Sequence, residues 1–268
     1  MKFSVLIAHY NNAEYFKECF ASLRSQSFTD FEVIVVDDCS EESEIENIKE
    51  TIRSDSRFKL FLNEENKGVG FTKRKCVELA SGEICGFVDP DDAITENAIK
   101  ESIKAYQDSK TIATYSLFYV CDGNLKPQKN FDFTRKIKNG NPKFFNIRFE
   151  VAHFFTFKKE IYLKTNGINE NITSSVDQDL YLKLYDLGNF SFIKKPLYLY
   201  RIHDKGVSQE QSKKNKLYKN WHIVLKETLQ RREVTTLYGK KIEEISDLPT
   251  YIFEKQNTLF SKIIRKLS

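Results

Sequence analysis

No stretch of this 268-residue chain approaches the roughly 18 consecutive apolar residues that a membrane-crossing helix requires. At its start, Met1-Lys2 leads straight into Phe3-Ser4-Val5-Leu6-Ile7-Ala8, a run too short for a secretory signal with its cleavage site. These two absences lead us to expect a cytoplasmic protein that at most touches a membrane from the inner face. The five cysteines, Cys19, Cys39, Cys76, Cys85 and Cys121, form no C-x-x-C pair and read as reduced, packed thiols. The loop after the first apolar run carries no G-x-G-x-x-G, and G-x-x-x-x-G-K-[ST] does not occur, so a dinucleotide fold and a nucleotide-cleaving P-loop lack their signatures. Internal repeats and low-complexity segments are missing as well. So is a dominant charge: 42 lysines and arginines face 38 aspartates and glutamates, too even a balance to make nucleic acid the main partner.

The charge that exists is unevenly placed. From Lys213 to Ser268 there are 13 basic and 6 acidic residues, leaving the rest of the chain slightly acidic. The last segment sets Ile252, Phe253, Leu259, Phe260, Ile263, Ile264 and Leu267 among Lys255, Lys262, Arg265 and Lys266. That pattern suits either an amphipathic helix at an anionic membrane surface or an ordinary helix docked on the domain. Two units are therefore expected, a main domain over 1–208 and a basic helical extension over 209–268.

Phe3 to Ala8 and Phe31 to Val36 are nearly unbroken apolar runs, as in strands buried on both faces. Between them Phe16, Cys19, Phe20 and Leu23 recur at helical spacing, with Asn11 or Asn12 available as a cap. Ser43-Glu44-Ile45-Glu46 reads as a capping box, Phe58 to Leu62 as a third strand, Phe71 to Ala80 as a helix, and Ile84 to Val88 as a fourth strand. A helix over 95–107 and a strand over 112–120 follow. The rhythm then breaks, and Cys121 to Phe149 reads as loop and short helix. Further elements are a strand at Val151 to Phe157, a helix from Asp177 to Leu187 and a last strand at Pro196 to Tyr200. Alternation of this kind implies a layered α/β domain with a largely parallel sheet, whose ligands gather at the carboxyl ends of the strands.

Two acidic clusters fall at such ends, Asp37-Asp38 after the second strand and Asp89-Pro90-Asp91-Asp92 after the fourth. Crowded carboxylates repel and need a cation or strong hydrogen bonds to stay ionised. Hard oxygen ligands select Mg²⁺ or Mn²⁺, which bind through one or two carboxylates together with substrate phosphates. Each cluster alone could be an acidic turn or a cap. Between them lie Asn66-Lys67-Gly68 and Lys73-Arg74, which read either as a turn and a solvated helix face or as groups that approach a nucleotide and offset its diphosphate charge.

In order and spacing these segments resemble the inverting glycosyltransferases of family 2, with the GT-A fold: a Rossmann-like nucleotide-binding half and a mostly parallel mixed sheet flanked by helices. The resemblance covers residues 3 to 205. Ser4 to Asn12 is similar to that family's opening strand and loop, and Phe31 to Ser40 to its second strand with the aspartate pair. It implies that Asp38 contacts the uracil of a UDP donor, with the backbone near Ala8 and Tyr10 lining the same pocket. Phe87 to Asp92 matches the Asp-x-Asp segment, which makes Asp91 the metal ligand and sets Asp89 at the donor ribose or the metal's water shell. Asn169-Glu170 resembles the acceptor-side region, and Val176-Asp177 the acidic pair before a helix, with valine where glutamate is common and Asp177 as the expected base. Tyr200 to Ser208 resembles a closing segment whose His203 reaches the metal or the diphosphate. Lys73-Arg74 stands where Arg-Asn is frequent. His153 either faces the acceptor or packs in the interior.

The expected chemistry is a single displacement at the anomeric carbon of a nucleotide-linked sugar. Asp177 removes the proton from an acceptor hydroxyl while a metal at Asp91 stabilises the departing diphosphate. A glycan or lipid-linked acceptor in bacterial surface polysaccharide synthesis follows from the resemblance alone. Two other classes remain: nucleotidyl transfer, which uses similar carboxylates and Mg²⁺ but usually a glycine-rich basic loop after the first strand, and a sugar-nucleotide-binding module without chemistry.

Overall fold

The computed structural model describes residues 1–204 and 211–258. Its elements run β1 (Phe3–His9), α1 (Ala13–Arg24), β2 (Phe31–Asp37), α2 (Glu42–Ile52), β3 (Phe58–Leu62), α3 (Val69–Leu79), β4 (Ile84–Phe87), β5 (Ala93–Ile94) and α4 (Ala98–Ala105). There follow β6 (Thr111–Cys121), β7 (Pro127–Asn130), β8 (Thr156–Lys158), α5 (Lys159–Tyr162), α6 (Val176–Tyr185), β9 (Asn189–Arg201), α7 (Gln211–Arg231), a small hairpin of β10 (Thr236–Leu237) and β11 (Lys240–Lys241), and α8 (Leu248–Gln256). The main sheet is ordered β3-β2-β1-β4-β8-β6-β9-β5, with β7 alongside β6. β1 pairs in parallel with β2 and β4, β2 with β3, and β6 with β9; β8 runs antiparallel between β4 and β6. The mixed, mostly parallel sheet flanked by helices is thus present.

Hydrophobic residues alternate between two cores because successive strand side chains point to opposite faces. Val5 and Ile7 of β1 join Phe16 and Leu23 of α1 on one face, while Leu6 joins Cys76 of α3 and Leu180 of α6 on the other. Val224, Leu225 and Leu229 of α7 and Ile252 of α8 belong to that second core. The described part of the basic extension is therefore packed on the domain. Leu259 to Leu267, on which the amphipathic reading of the tail mostly rests, lie outside the described residues, as does the boundary at 208–209. No helix among the described residues is long and apolar enough to cross a membrane.

Several elements differ from expectation for local reasons. The capping box at Ser43 is not formed: α2 starts after Glu41, and Glu44 instead accepts the Ala13 N–H at 2.7 Å, tying α2 to the start of α1. Within Val151 to Phe157 only Thr156 onward joins the sheet. The Asn146 side chain takes both the N–H and the carbonyl of Val151, and Ser116 Oγ accepts the Phe154 N–H, so those backbone groups are satisfied without a neighbouring strand. The 121–149 excursion holds a hairpin strand, β7, and no helix. β9 begins well ahead of Pro196, and the proline is accommodated where the β6–β9 register shifts.

Gly70, in the first turn of α3, decides how closely that helix meets the segment leading into α6. A Cβ there would stand 2.5 Å from the carbonyl oxygens of both Asn169 and Ile172. Gly70→Ala is expected to destabilise the fold by roughly 2 kcal/mol through this backbone clash. Urea unfolding measures it, and wild-type stability would contradict the close approach.

Candidate active site

The carboxyl edge of the sheet is where the chain leaves its regular strands under local tension. Asn11 (φ 46°) follows β1, Cys39 (φ 63°) follows β2, and Ser175 (φ 60°) immediately precedes α6, all in the left-handed region that non-glycine residues rarely adopt. Two of them are pinned by hydrogen bonds: Asn11 Oδ1 accepts the Glu41 N–H at 2.9 Å, and the Ser175 carbonyl accepts the Asp179 N–H that opens α6. At this edge the strands deliver His9, Asp37, Asp38, Asp89 and Arg201 side by side.

Asp37 and Asp38 do different work. Asp37 Oδ2 meets His9 Nδ1 at 2.7 Å and the Ser40 hydroxyl at 2.6 Å, and Oδ1 accepts the Ser40 N–H. Burial would raise this carboxyl, but the hydrogen bonds from His9 and Ser40 hold it below its usual value. Asp38 accepts Asn63 Nδ2 (2.8 Å) and the Lys67 N–H (2.9 Å) at one oxygen and the Gly68 N–H (2.8 Å) at the other. It thereby fixes the Asn66–Gly68 turn, in which Gly68 takes φ 84°. Tyr10 and Asn66 are exposed and Ala8 half-buried around the same rim.

Lys73 is the centre of the cluster. Its side chain is 5% exposed, its ammonium lies 3.1 Å from Asp89 Oδ1 and 2.9 Å from Asp177 Oδ1, and the Phe87 ring stands 5.2 Å away. Burial opposes the charge on Lys73, yet Asp177 and Asp89 together hold its pKa above the ordinary lysine value. Burial likewise would raise Asp177, but Lys73, with a further contribution from His153, holds that carboxyl below its usual value. Asp89, in the turn after β4, and Asp177, in the first turn of α6, thus share one cation.

Asp91 lies on the other side of the same loop, with Oδ2 2.9 Å from His203 Nε2. His203 Nδ1 is buried without a hydrogen-bond partner among the described residues. A carboxylate oxygen and an imidazole nitrogen that converge this way are a chemically sensible pair for Mn²⁺ or Mg²⁺. Among the described residues no group of three or more His, Cys, Asp or Glu could hold a metal, so an ion here would complete its shell with phosphate oxygens and water.

Asp92 is spent on structure. It is 1% exposed and accepts the Tyr198 hydroxyl (2.8 Å) and the Arg201 N–H (2.7 Å); burial first, then Asp91 and Asp89, pushes its pKa well up. Arg201 donates to the carbonyls of Asp91 and Gly123, both at 2.6 Å, and to Glu18 at 2.9 Å, and its guanidinium lies 4.7 Å from the Tyr15 ring centroid. Tyr198 and Asn63 carry no motif that marks them in the sequence, and Arg201 lies in the closing segment with no role read for it. Only their polar character next to an acidic strand end hints at the role.

Arg74, Asn169 and Glu170 are not brought to this cluster. Successive helical residues point about 100° apart, so with Lys73 turned inward Arg74 reaches Glu78 (3.1 Å), the carbonyls of Asn166 and Ile168, and Glu170 at 4.0 Å. Asn169 bonds Glu227 of α7. These residues line a separate polar hollow of about 440 Å³ with Lys183, Glu227 and Arg231. His153 is half-buried, its ring stacked 4.6 Å from that of Tyr198.

A mixed, mostly parallel sheet flanked by helices, with an aspartate pair and an Asp-x-Asp turn at its carboxyl edge, has the GT-A architecture. The model of the family "Glycosyl transferase family 2" matches residues 4–165, and the chain belongs to that family. The match ends ahead of α6 and does not reach Asp177 or His203. The chain is 28% identical over 258 residues to a chondroitin synthase of Pasteurella multocida, covering 94% of this chain and 26% of that protein. It is 30% identical over 216 residues to the poly(ribitol-phosphate) beta-N-acetylglucosaminyltransferase TarS of Staphylococcus aureus, covering 77% of this chain and 36% of that one. The crystal structure of S. aureus TarS 1-349 in complex with UDP-GlcNAc superposes with a TM-score of 0.70 at 24% identity, over 85% of this chain and 67% of that chain. The first curated relatives are thus much longer, the chain spanning about a quarter to a third of their length.

Replacing Lys73 by Met leaves Asp89 and Asp177 without their shared cation. A loss of roughly 2 kcal/mol is expected at neutral pH, less than for a fully buried pair because both carboxylates keep about a third of their exposure. In the wild type Asp177 is depressed and contributes stability that disappears only as pH falls through its folded-state value. In the variant only the smaller His153 contribution opposes burial and its pKa rises, so the deficit should narrow as pH drops toward about 4.5. Urea unfolding at the two pH values checks this, and an equal deficit at both would contradict the ion-pair account.

Proposed function

We propose that the chain is an inverting, metal-dependent glycosyltransferase that moves a sugar from a nucleotide diphosphate, UDP-linked, to a hydroxyl of a glycan or lipid-linked acceptor in bacterial surface polysaccharide synthesis. The observation that carries this reading is the Lys73 bridge, since it draws a carboxylate of the Asp-x-Asp turn and the carboxylate at the start of α6 into one site. Donor-side and acceptor-side groups must be that near for one anomeric carbon to lie between them.

In this reading Asp38 and the Asn66–Gly68 turn receive the base, and Asp89 the ribose. Asp91 and His203 would hold Mn²⁺ or Mg²⁺, which when bound neutralises charge developing on the leaving diphosphate. Asp177 accepts the proton of the acceptor hydroxyl as that oxygen attacks from the opposite face, which gives inversion. A carboxylate held low by Lys73 is ionised but a weak base. Donor phosphates entering the site compete with Asp177 for the lysine, and the base strengthens when there is something to react with. Nucleotidyl transfer is the less favoured reading, because the turn after β1 offers neither glycines nor a basic cluster.

Asp177→Asn should reduce transfer by a factor on the order of 10³ or more while leaving UDP affinity within a few fold, as expected for loss of a general base. Retention of wild-type kcat would remove Asp177 from the role. For Asp91→Ala, calorimetric titration of UDP with and without Mn²⁺ should show the metal-dependent part of the affinity lost; equal wild-type affinity in both conditions would refute the metal site.

A further inference from the structure

The segment that delivers Asp177 is held by a helix that neither the donor contacts nor the proton transfer uses. Ser175 stands at the N-cap position of α6 with φ 60°, two residues ahead of Asp177, yet its side chain makes no capping bond. Its hydroxyl donates instead to the carbonyl of Leu217 on α7 at 3.3 Å. Three donors of the same segment converge on one end of the Asn220 side-chain amide: the Ser174 hydroxyl at 2.8 Å, the Ser174 N–H at 3.1 Å and the Thr173 N–H at 3.2 Å. Converging donors require an acceptor, so the amide oxygen faces them. Leu217 and Asn220, three residues apart, share one face of α7. Farther along the helix, Glu227 accepts Asn169 Nδ2 at 3.0 Å. α7 is itself anchored, with Val224, Leu225 and Leu229 in the core that holds Val176 and Leu180 of α6. Two helices therefore grip the segment: α3, through Gly70, lies against the carbonyls of Asn169 and Ile172, and α7 takes the N–H groups of Thr173 and Ser174.

We propose that Asn220 is a positioning residue for Asp177, an assignment that rests on the glycosyltransferase reading above. A serine in the left-handed region persists only where its surroundings hold it there. Thr173 and Ser174 lead directly into that turn, and taking up their N–H groups fixes the direction in which α6 starts. Asp177 lies in the first turn of the helix, so a rotation of its start swings the carboxylate relative to Lys73 and to the hydroxyl it must reach. Asn220 acts through Asp177 alone, with no part in donor binding. α7 then belongs with the catalytic unit and not with a separate extension.

The test uses the full chain with Mn²⁺ and a panel of nucleotide sugars, first to find one that it hydrolyses, because water as acceptor also needs the base. Asn220→Leu and, independently, Asn220→Ala remove the accepting oxygen; Asn220 is half-buried on a helix and both replacements are better helix formers, so the variants should fold. Each should lower kcat for hydrolysis by roughly tenfold to a hundredfold, the scale of loss for a reacting group misplaced by about an ångström. Donor KM and calorimetric affinity for the product nucleotide diphosphate should stay near wild type. Asn220→Asp, which keeps an oxygen toward the three donors, should restore most of kcat. In the Asp177→Asn chain, Asn220→Leu should cost nothing further, since the group it positions is gone. Unchanged kcat in Asn220→Leu and Asn220→Ala, no recovery in Asn220→Asp, or an equal loss with and without Asp177 overturns the positioning role and leaves the enzyme reading intact. If the wild-type chain hydrolyses no nucleotide sugar with or without metal, the underlying reading fails and the positioning role with it.

Discussion

Two carboxylates brought together at the edge of a protein core repel, and each loses part of the hydration that would keep it charged. The ammonium of Lys73 resolves both difficulties by lying within 3.1 Å of Asp89 and 2.9 Å of Asp177. This contact constrains three distant stretches of chain. α3 must present Lys73 inward, β4 must end on the Asp-x-Asp turn, and α6 must begin with its first carboxylate aimed at α3. Gly70 makes the last condition possible, because any side chain there would push α3 off the carbonyls of the segment leading into α6. The glycine has no chemical role. Its absence of a Cβ sets the distance over which the lysine works.

The acidic turn needs a second anchor, since Lys73 reaches only Asp89. Asp92 and Arg201 supply it from the opposite side. The guanidinium spreads its donors over Asp91, Gly123 and Glu18, a use that suits its planar fork better than a lysine's single point of charge. Asp92 accepts from Tyr198 and from the Arg201 backbone, so β9 holds the turn from below while α3 holds it from above. Asp91 is left between these anchors with its oxygen toward His203, two residues beyond Arg201. Of three adjacent acidic side chains, one is tied to a lysine, one is buried, and one faces an imidazole.

The sheet's first half could be read from apolar runs alone, because Phe3–His9 and Phe31–Asp37 are buried on nearly every residue, as strands covered on both faces are. The acidic strand ends were legible for the same reason: they follow those runs directly. The capping box at Ser43 misled because its glutamate at position 44 was recruited across the fold by Ala13, a contact invisible to local spacing. Similarly, nothing in the adjacent pair Lys73-Arg74 reveals which of the two turns inward. That depends on the register of α3 against β4 and on where Gly70 allows the helix to sit. The 121–149 excursion was unreadable because its order comes from single side chains such as Asp122, which accepts from Asn124, Lys126 and Gln128, and carries no period.

The acidic strand ends and the β6–β7 hairpin are built by different means, and this decides which of them tolerates substitution. At the strand ends, contacts are made by backbone N–H groups and short polar side chains: Asp38 with Lys67 and Gly68, Asp37 with Ser40. Altering any of them disturbs a strand terminus and, through it, the core. At the β6–β7 hairpin, by contrast, all four β7 residues are exposed, and the nearby Phe133 ring is half exposed. Substitutions there cost little stability, since surface positions away from buried networks usually move it by no more than about half a kcal/mol. A scaffold so divided keeps the aspartate-bearing strand ends rigid while the hairpin surface can vary, because the Lys73 contact that ties α3, the Asp-x-Asp turn and α6 together involves no residue of the hairpin.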